Sequence, residues 1–178
     1  MSRFEPMSTP DDRQWAGFRI VLRDVGALQV LLSTGMLASL LVSLLYGEVY
    51  SALSFLAAAG VTAICGTLAY RTCCEAGDPK RRHAMVIAGA GWLMSAIFGA
   101  LPFLFAAYWT PPEVAQALIP AGESYTSSLV YFRNPLHTVF ESMSAYTTTG
   151  LTMAVHEPSI GQDCFSIAPW RSGSGAPV

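Results

Sequence analysis

Three stretches of this chain contain no Asp, Glu, Lys, Arg or His: Val25–Tyr46, Val49–Tyr70 and Ala84–Pro112, each at least 22 residues long. A helix rises 1.5 Å per residue, so about 20 residues cross a hydrocarbon core of ~30 Å. The sequence therefore predicts three transmembrane helices, near residues 25–46, 49–70 and 84–109. Composition agrees, since only 12% of the 178 residues are charged, against about 25% in soluble domains. The expected fold class is an all-α membrane protein. A net charge of −2 offers no basic face to nucleic acid, and no nucleic-acid partner is expected.

The first run is not read as a cleaved signal peptide. Such a peptide has an apolar core of about 7–15 residues close to its start. Here a polar lead, "MSRFEPMSTPDDRQWAGFRIVLRD", comes first. Basic residues then set the orientation. Arg3, Arg13, Arg19 and Arg23 precede the first run, and Arg71, Lys80, Arg81 and Arg82 lie between the second and third. From the end of the third run to residue 134 only Arg133 is basic. Lys and Arg concentrate on the cytoplasmic side, so the N-terminus is expected inside and Tyr108–Arg133 outside.

Small residues recur every four positions at Gly35, Ser39, Ser43 and Gly47, and again at Gly91, Ser95 and Gly99. Stripes of this kind let a second helix approach closely in lipid. Pro102 is expected to kink the third span or mark its outer end. Cys65, the adjacent pair Cys73–Cys74, and Cys164 lack CxxC spacing, so they read as reduced thiols and not as metal ligands. Palmitoylation of the juxtamembrane pair is the alternative reading. His83 closes a basic cluster at the cytoplasmic surface, and His156–Glu157 are expected at the outer mouth.

After the third span the chain passes through Pro and Ser to Asn134–Pro135 and becomes apolar again. Asn caps a helix and Pro at its first position loses no hydrogen bond. A helix from Pro135 to about Thr147 is ~20 Å long, too short to cross a bilayer but long enough to dip halfway in. The stretch "ESMSAYTTTGLT" ends it. Its TTTG run is then non-helical backbone at membrane depth, tolerated only where it lines a cavity. Threonine hydroxyls and successive carbonyls can replace the water shell of a cation, and Gly allows dihedrals that aim those carbonyls together. No acid–base pair stands beside them, and no enzyme activity is expected. His137 and Glu141 share a helix face at i, i+4, but two ligands do not make a zinc site. Glu141 reads instead as a structural anchor or local negative charge.

The run "FESMSAYTTTGLT", preceded by "NPLHTV" and with "GALPFLF" in the third span, resembles the first pore loop and selectivity filter of the Trk/Ktr/HKT potassium transporter superfamily, most of all its TrkH-type membrane subunits. The likeness covers about residues 18–161. It implies two leading helices followed by four repeats, each helix–pore helix–filter–helix, with potassium as the transported substrate and no cofactor. It implies a cell-membrane location among lipid, a homodimer of membrane subunits, and gating by a cytosolic nucleotide-binding ring. Carried over, Thr148, Thr149 and Gly150 match the filter, with Thr147 and Leu151 flanking it. Ala84–Trp109 match the first helix of a repeat and Asn134–Thr147 its pore helix.

The expected organisation is a cytoplasmic segment 1–24, two leading helices 25–70, a cytoplasmic loop 71–83, the first part of one pore repeat 84–152, and a tail 153–178. That tail departs from the family, which places a long helix and three more repeats after the filter. Permitted codons for Asp163–Ala176, read in a shifted frame, encode an apolar stretch with Arg-Ser and Gln-Trp before paired glycines, as the family has there. The expectation is thus a truncated, non-conducting fragment produced by a frameshift near Asp163; a deliberately shortened chain and a degenerate gene are the other readings. Two competing functions remain: a non-transporting membrane anchor or interaction subunit using the small-residue stripes, and, ranked last, a self-assembling tetramer with one filter per chain.

Overall fold

The computed structural model describes residues 10–117 and 127–154, and all their regular structure is helical. Helix α1 spans Pro10–Tyr46, α2 Val49–Thr72, α3 Arg81–Gly99, α4 Leu101–Trp109 and α5 Pro112–Ala117. A 3₁₀ turn at Ser128–Arg133 leads into α6, Pro135–Tyr146. Three segments are long and apolar enough to cross a membrane: Trp15–Tyr46, Val49–Thr72 and Arg81–Trp109. The expectations for His156, Glu157, Cys164 and the shifted frame lie outside the described residues.

Helix α1 begins well before the uncharged run that announced it. Its 37 residues measure ~55 Å, because no proline interrupts the polar lead after Pro10 and a helix that clears the bilayer can continue in water. Its other end is abrupt. Gly47 takes φ +73°, its N–H bonds Leu44 O at 3.2 Å, and the N–H of Glu48 bonds Ser43 O at 3.0 Å. This is the Schellman arrangement, in which a left-handed glycine lets the last carbonyls be capped. Helix α2 therefore starts at once and runs back along α1.

The two helices come into backbone contact at Gly26 and Gly66, where a Cβ on either would fall 2.8 Å from the other's carbonyl oxygen. Beyond that crossing Met36, Phe55, Ala58 and Ala59 form a buried cluster, with Leu101 and Phe105 of α4 packed on it. The buried hydroxyls here are satisfied within their own helices: Ser33 donates to Val30 O, Ser54 to Tyr50 O and Thr62 to Ala58 O at 2.6–2.8 Å. Gln29 is different. It is 3% exposed and neither its Oε1 nor its Nε2 has a hydrogen-bond partner.

The two small-residue stripes behave differently. On α1, Gly35 faces open space. On α3, a Cβ at Gly91 would meet Leu28 of α1 at 2.8 Å, and Gly99 lies against α6. The third span is divided at Ala100 into α3 and α4. Pro102 lacks the N–H that would continue the helical ladder, which accounts for the break. His83 is half-buried: its Nδ1 accepts from Lys80 N at 3.3 Å and its ring lies against Gly17 of α1.

Candidate functional site

Helix α6 returns along the span that precedes it. At its start Tyr108 Oη donates to Arg133 O at 3.2 Å, and Arg133 Nε donates to Ala107 O at 3.3 Å. Beneath them Phe103 and Phe132 meet at 5.7 Å between ring centroids, in a cluster with Ala106, Ala107 and Leu129. Asn134 caps α6 through its side chain, which accepts from Leu136 N at 3.0 Å, and Pro135 takes the first helical position. At the other end, a Cβ on Gly99 would fall 2.5 Å from Ser142 Oγ and 3.0 Å from Tyr146 Cε2. So α6 begins level with Tyr108 and ends level with Gly99. Those residues lie nine positions apart on α3–α4, or ~13 Å along a helix axis.

The TTTG loop follows directly. Thr147 closes α6 with φ −84° and ψ 0°. Thr148 then takes φ +53° and Gly150 φ +71°. The left-handed region is routine for glycine and unusual for a β-branched residue. Thr148 is held there by two bonds to the end of the helix before it: its N–H reaches Ala145 O at 3.2 Å and its Oγ1 donates to Thr147 O at 2.7 Å. The N–H of Thr149 reaches Ser144 O at 3.1 Å, and the hydroxyls of Thr147 and Thr149 lie 2.6 Å apart. Among the described residues, the carbonyl oxygens of Thr148, Thr149 and Gly150 accept no hydrogen bond. Thr147, Thr148, Thr149, Gly150 and Leu151 are all exposed.

Beyond the loop the chain turns back along α6. Ser144 Oγ donates to Leu151 O at 2.5 Å. One turn earlier on the helix, Glu141 accepts from Thr152 Oγ1 and from Met153 N, both at 2.8 Å. Ala154 then enters the Phe103–Phe132 cluster. His137 takes no part in this: its Nδ1 lies 2.9 Å from Tyr131 O and its Nε2 3.5 Å from Asn134 Nδ2. A donor at Nδ1 and an acceptor at Nε2 satisfy both contacts. His137 and Glu141 share a helix face, yet they serve separate networks.

The five loop residues singled out from the sequence are thus brought together in one exposed turn at the C-terminal end of α6. Ser144 was not singled out, and neither was the role of Thr152. Their contacts join residues seven to twelve positions apart, and no spacing rule reports such pairs.

No family model matches the chain, and no solved structure matches it. Over 137 residues the chain is 31% identical to the Trk system potassium uptake protein TrkH of Halomonas elongata. That match takes in 76% of this chain and 23% of the length of the curated relative.

Proposed function

We propose that residues 84–152 supply one quarter of a potassium path through a membrane, with Thr147–Leu151 as its ion-facing loop. The observation that carries this reading is the pairing of two features. A short Pro-started helix stops level with Gly99, well inside a span-length helix pair. At its end three consecutive carbonyls, those of Thr148, Thr149 and Gly150, have no protein partner among the described residues.

Oxygen ligands of this kind can replace the hydration shell of a cation. The C-terminal end of a helix carries partial negative charge, which favours a cation there. On this reading α6 is a re-entrant pore helix, and irregular backbone at that depth is acceptable because it faces a water-filled path. The likeness to a potassium uptake protein supports potassium as the ion.

The remaining quarters come from further repeats of the same kind. The 178-residue chain alone is therefore expected not to conduct. The assembly is a homodimer in the cell membrane, with Arg23, Arg71 and Lys80 on the cytoplasmic side and a nucleotide-binding ring beneath. The reading as a membrane anchor is weakened by the α3 stripe, because α1 and α6 of the same chain already occupy Gly91 and Gly99.

The test is a chimera in which residues 18–154 replace the matching quarter of the Halomonas relative, expressed in cells without potassium uptake of their own. Growth at low potassium and a fall in potassium-over-sodium preference on Gly150→Ser are expected. A transporting chimera whose ion preference ignores Gly150→Ser would refute the loop assignment.

A further inference from the structure

We infer that Glu141 is the positioning residue of the loop, the group that fixes where the chain travels after Gly150; this rests on the reading of 147–151 as ion-facing. The three carbonyls of 148–150 have no bond of their own within the described residues, so their direction is inherited from the anchors on either side. On the incoming side the anchor is helical: Thr149 N reaches back to Ser144 O at 3.1 Å. On the outgoing side it is a side chain, since Glu141 receives Thr152 Oγ1 on one oxygen and Met153 N on the other, each at 2.8 Å.

Thr152 passes the constraint on, because its Oγ1 accepts from Ala154 N at 3.0 Å. Glu141 and Ser144 lie three residues apart on α6, one above the other on the same face. Together they hold residues 151–153 antiparallel to the helix, and Ala154 buries the end of the return.

A carboxylate is suited to this position in a way no neutral group is. Both of its oxygens accept, and both donors here belong to consecutive residues of the loop. Glutamine offers one oxygen and one NH₂ group, so with its oxygen on Met153 N–H the Thr152 hydroxyl must give up donating and accept from the NH₂ while also accepting from Ala154 N, and both contacts lose the charge of the carboxylate. Aspartate is one methylene shorter and cannot span the same gap from α6. The hydroxyl of Thr152 can be removed without disturbing the Met153 bond, which separates the two halves of the contact.

Two measurements decide the inference. The first is amide hydrogen exchange of the 178-residue chain in phosphatidylglycerol-containing nanodiscs. Glu141→Gln is expected to speed exchange of Met153, and of Ala154 with it, by about tenfold, the scale of weakening a hydrogen bond to a charged group. Thr152→Val is expected to speed Ala154, which loses its own acceptor, and to leave Met153 near the parent rate, and exchange across α6 is expected to stay at the parent rate. Unchanged exchange at Met153 and Ala154 would overturn the inference, and so would equal loosening of α6, which would make Glu141 a general folding residue.

The second is the potassium-to-sodium uptake ratio of the chimera at equal membrane protein level. Glu141→Gln is expected to lower it, and a loosened loop with an unaltered ratio would deny the positioning role. The exchange measurement needs no ion to pass, so a chimera whose parent form does not transport would count against the ion-facing reading while the exchange result still decides the clamp.

Discussion

Gly26 and Gly66 exclude side chains from each other: a Cβ on either would stand 2.8 Å from the carbonyl oxygen of the other. Backbone cannot swing aside as a side-chain tip can. Gly26→Ala and Gly66→Ala should each destabilise the chain by about 1–3 kcal/mol, the usual scale of overpacking. The double substitution should cost less than the sum, since helices already pushed apart accommodate the second methyl. Thermal unfolding of the purified chain in detergent checks both statements, and strict additivity would contradict the shared contact.

Gly99 works differently, because its obstacles are side-chain atoms: Ser142 Oγ at 2.5 Å, then Tyr146 at 3.0 Å. Gly99→Ala should displace the C-terminal half of α6 and lower stability. Adding Ser142→Ala removes the nearest atom and should recover part of the loss. A recovery absent from the same unfolding measurement would place α6 elsewhere.

Opposite outcomes are expected at the two left-handed positions of the loop. A Cβ at Gly150 would meet nothing within 4 Å, so space is not the constraint; φ +71° is. Gly150→Ala should therefore cost about 1–2 kcal/mol in backbone strain alone. At Thr148, φ +53° already imposes a penalty on a β-branched residue. Thr148→Gly relieves that penalty, against about 0.4–1 kcal/mol of added unfolded-state entropy, and should leave the chain at least as stable as the parent. A loss at Thr148 equal to the loss at Gly150 would show that the hydroxyl, not the dihedral, dominates there.

Gln29 should be replaceable with profit. Both ends of its amide are buried without a partner, and burying such a group costs about 1–3 kcal/mol. Gln29→Met keeps the length of the side chain and discards the amide, so the midpoint of unfolding should rise. A fall would mean that the amide is satisfied in the membrane-embedded protein.

Orientation is checked at Gly77, which is exposed and has open space around its Cα. In a background without other cysteines, Gly77→Cys should react with an impermeant thiol reagent only after the cells are permeabilised. Labelling of intact cells would reverse the orientation inferred from Arg71, Lys80, Arg81 and Arg82.

What could be read in advance follows from which forces are local. Uncharged runs reveal spans because a bilayer penalises charge residue by residue, and Asn134–Pro135 reveals a helix start because capping needs only neighbours in sequence. Gly150 stood out as the flexible member of its run, and it does take positive φ. Thr148 gave no sign, since a β-branched residue argues against the conformation it adopts. The four-residue stripe drew attention to Gly35, which packs on nothing, and away from Gly26, whose counterpart lies across a hairpin. The polar lead looked like a separate segment only because its charges end the uncharged run; its backbone is continuous helix from Pro10. Glu141 could be marked as an anchor, but its partners come from the other side of a reversal that spacing does not describe.

The tight reversal at Gly47–Glu48 sets an order of events during synthesis. Closing so short a connection costs little chain entropy, and contacts between neighbouring elements form fast. The α1–α2 hairpin is complete once Thr72 has been added, whereas α6 requires about 70 further residues, or roughly 4–15 s at about 5–20 residues per second. Until α3 and α4 follow, about 10–40 residues later, the hairpin must hold Gly26 against Gly66 without the contact of Gly91 with Leu28 or the packing of Leu101 and Phe105 on the Met36 cluster. Defects at the crossing should therefore show as failed insertion and low yield, while defects around Gly99 and Glu141 should leave a fully inserted protein that performs badly.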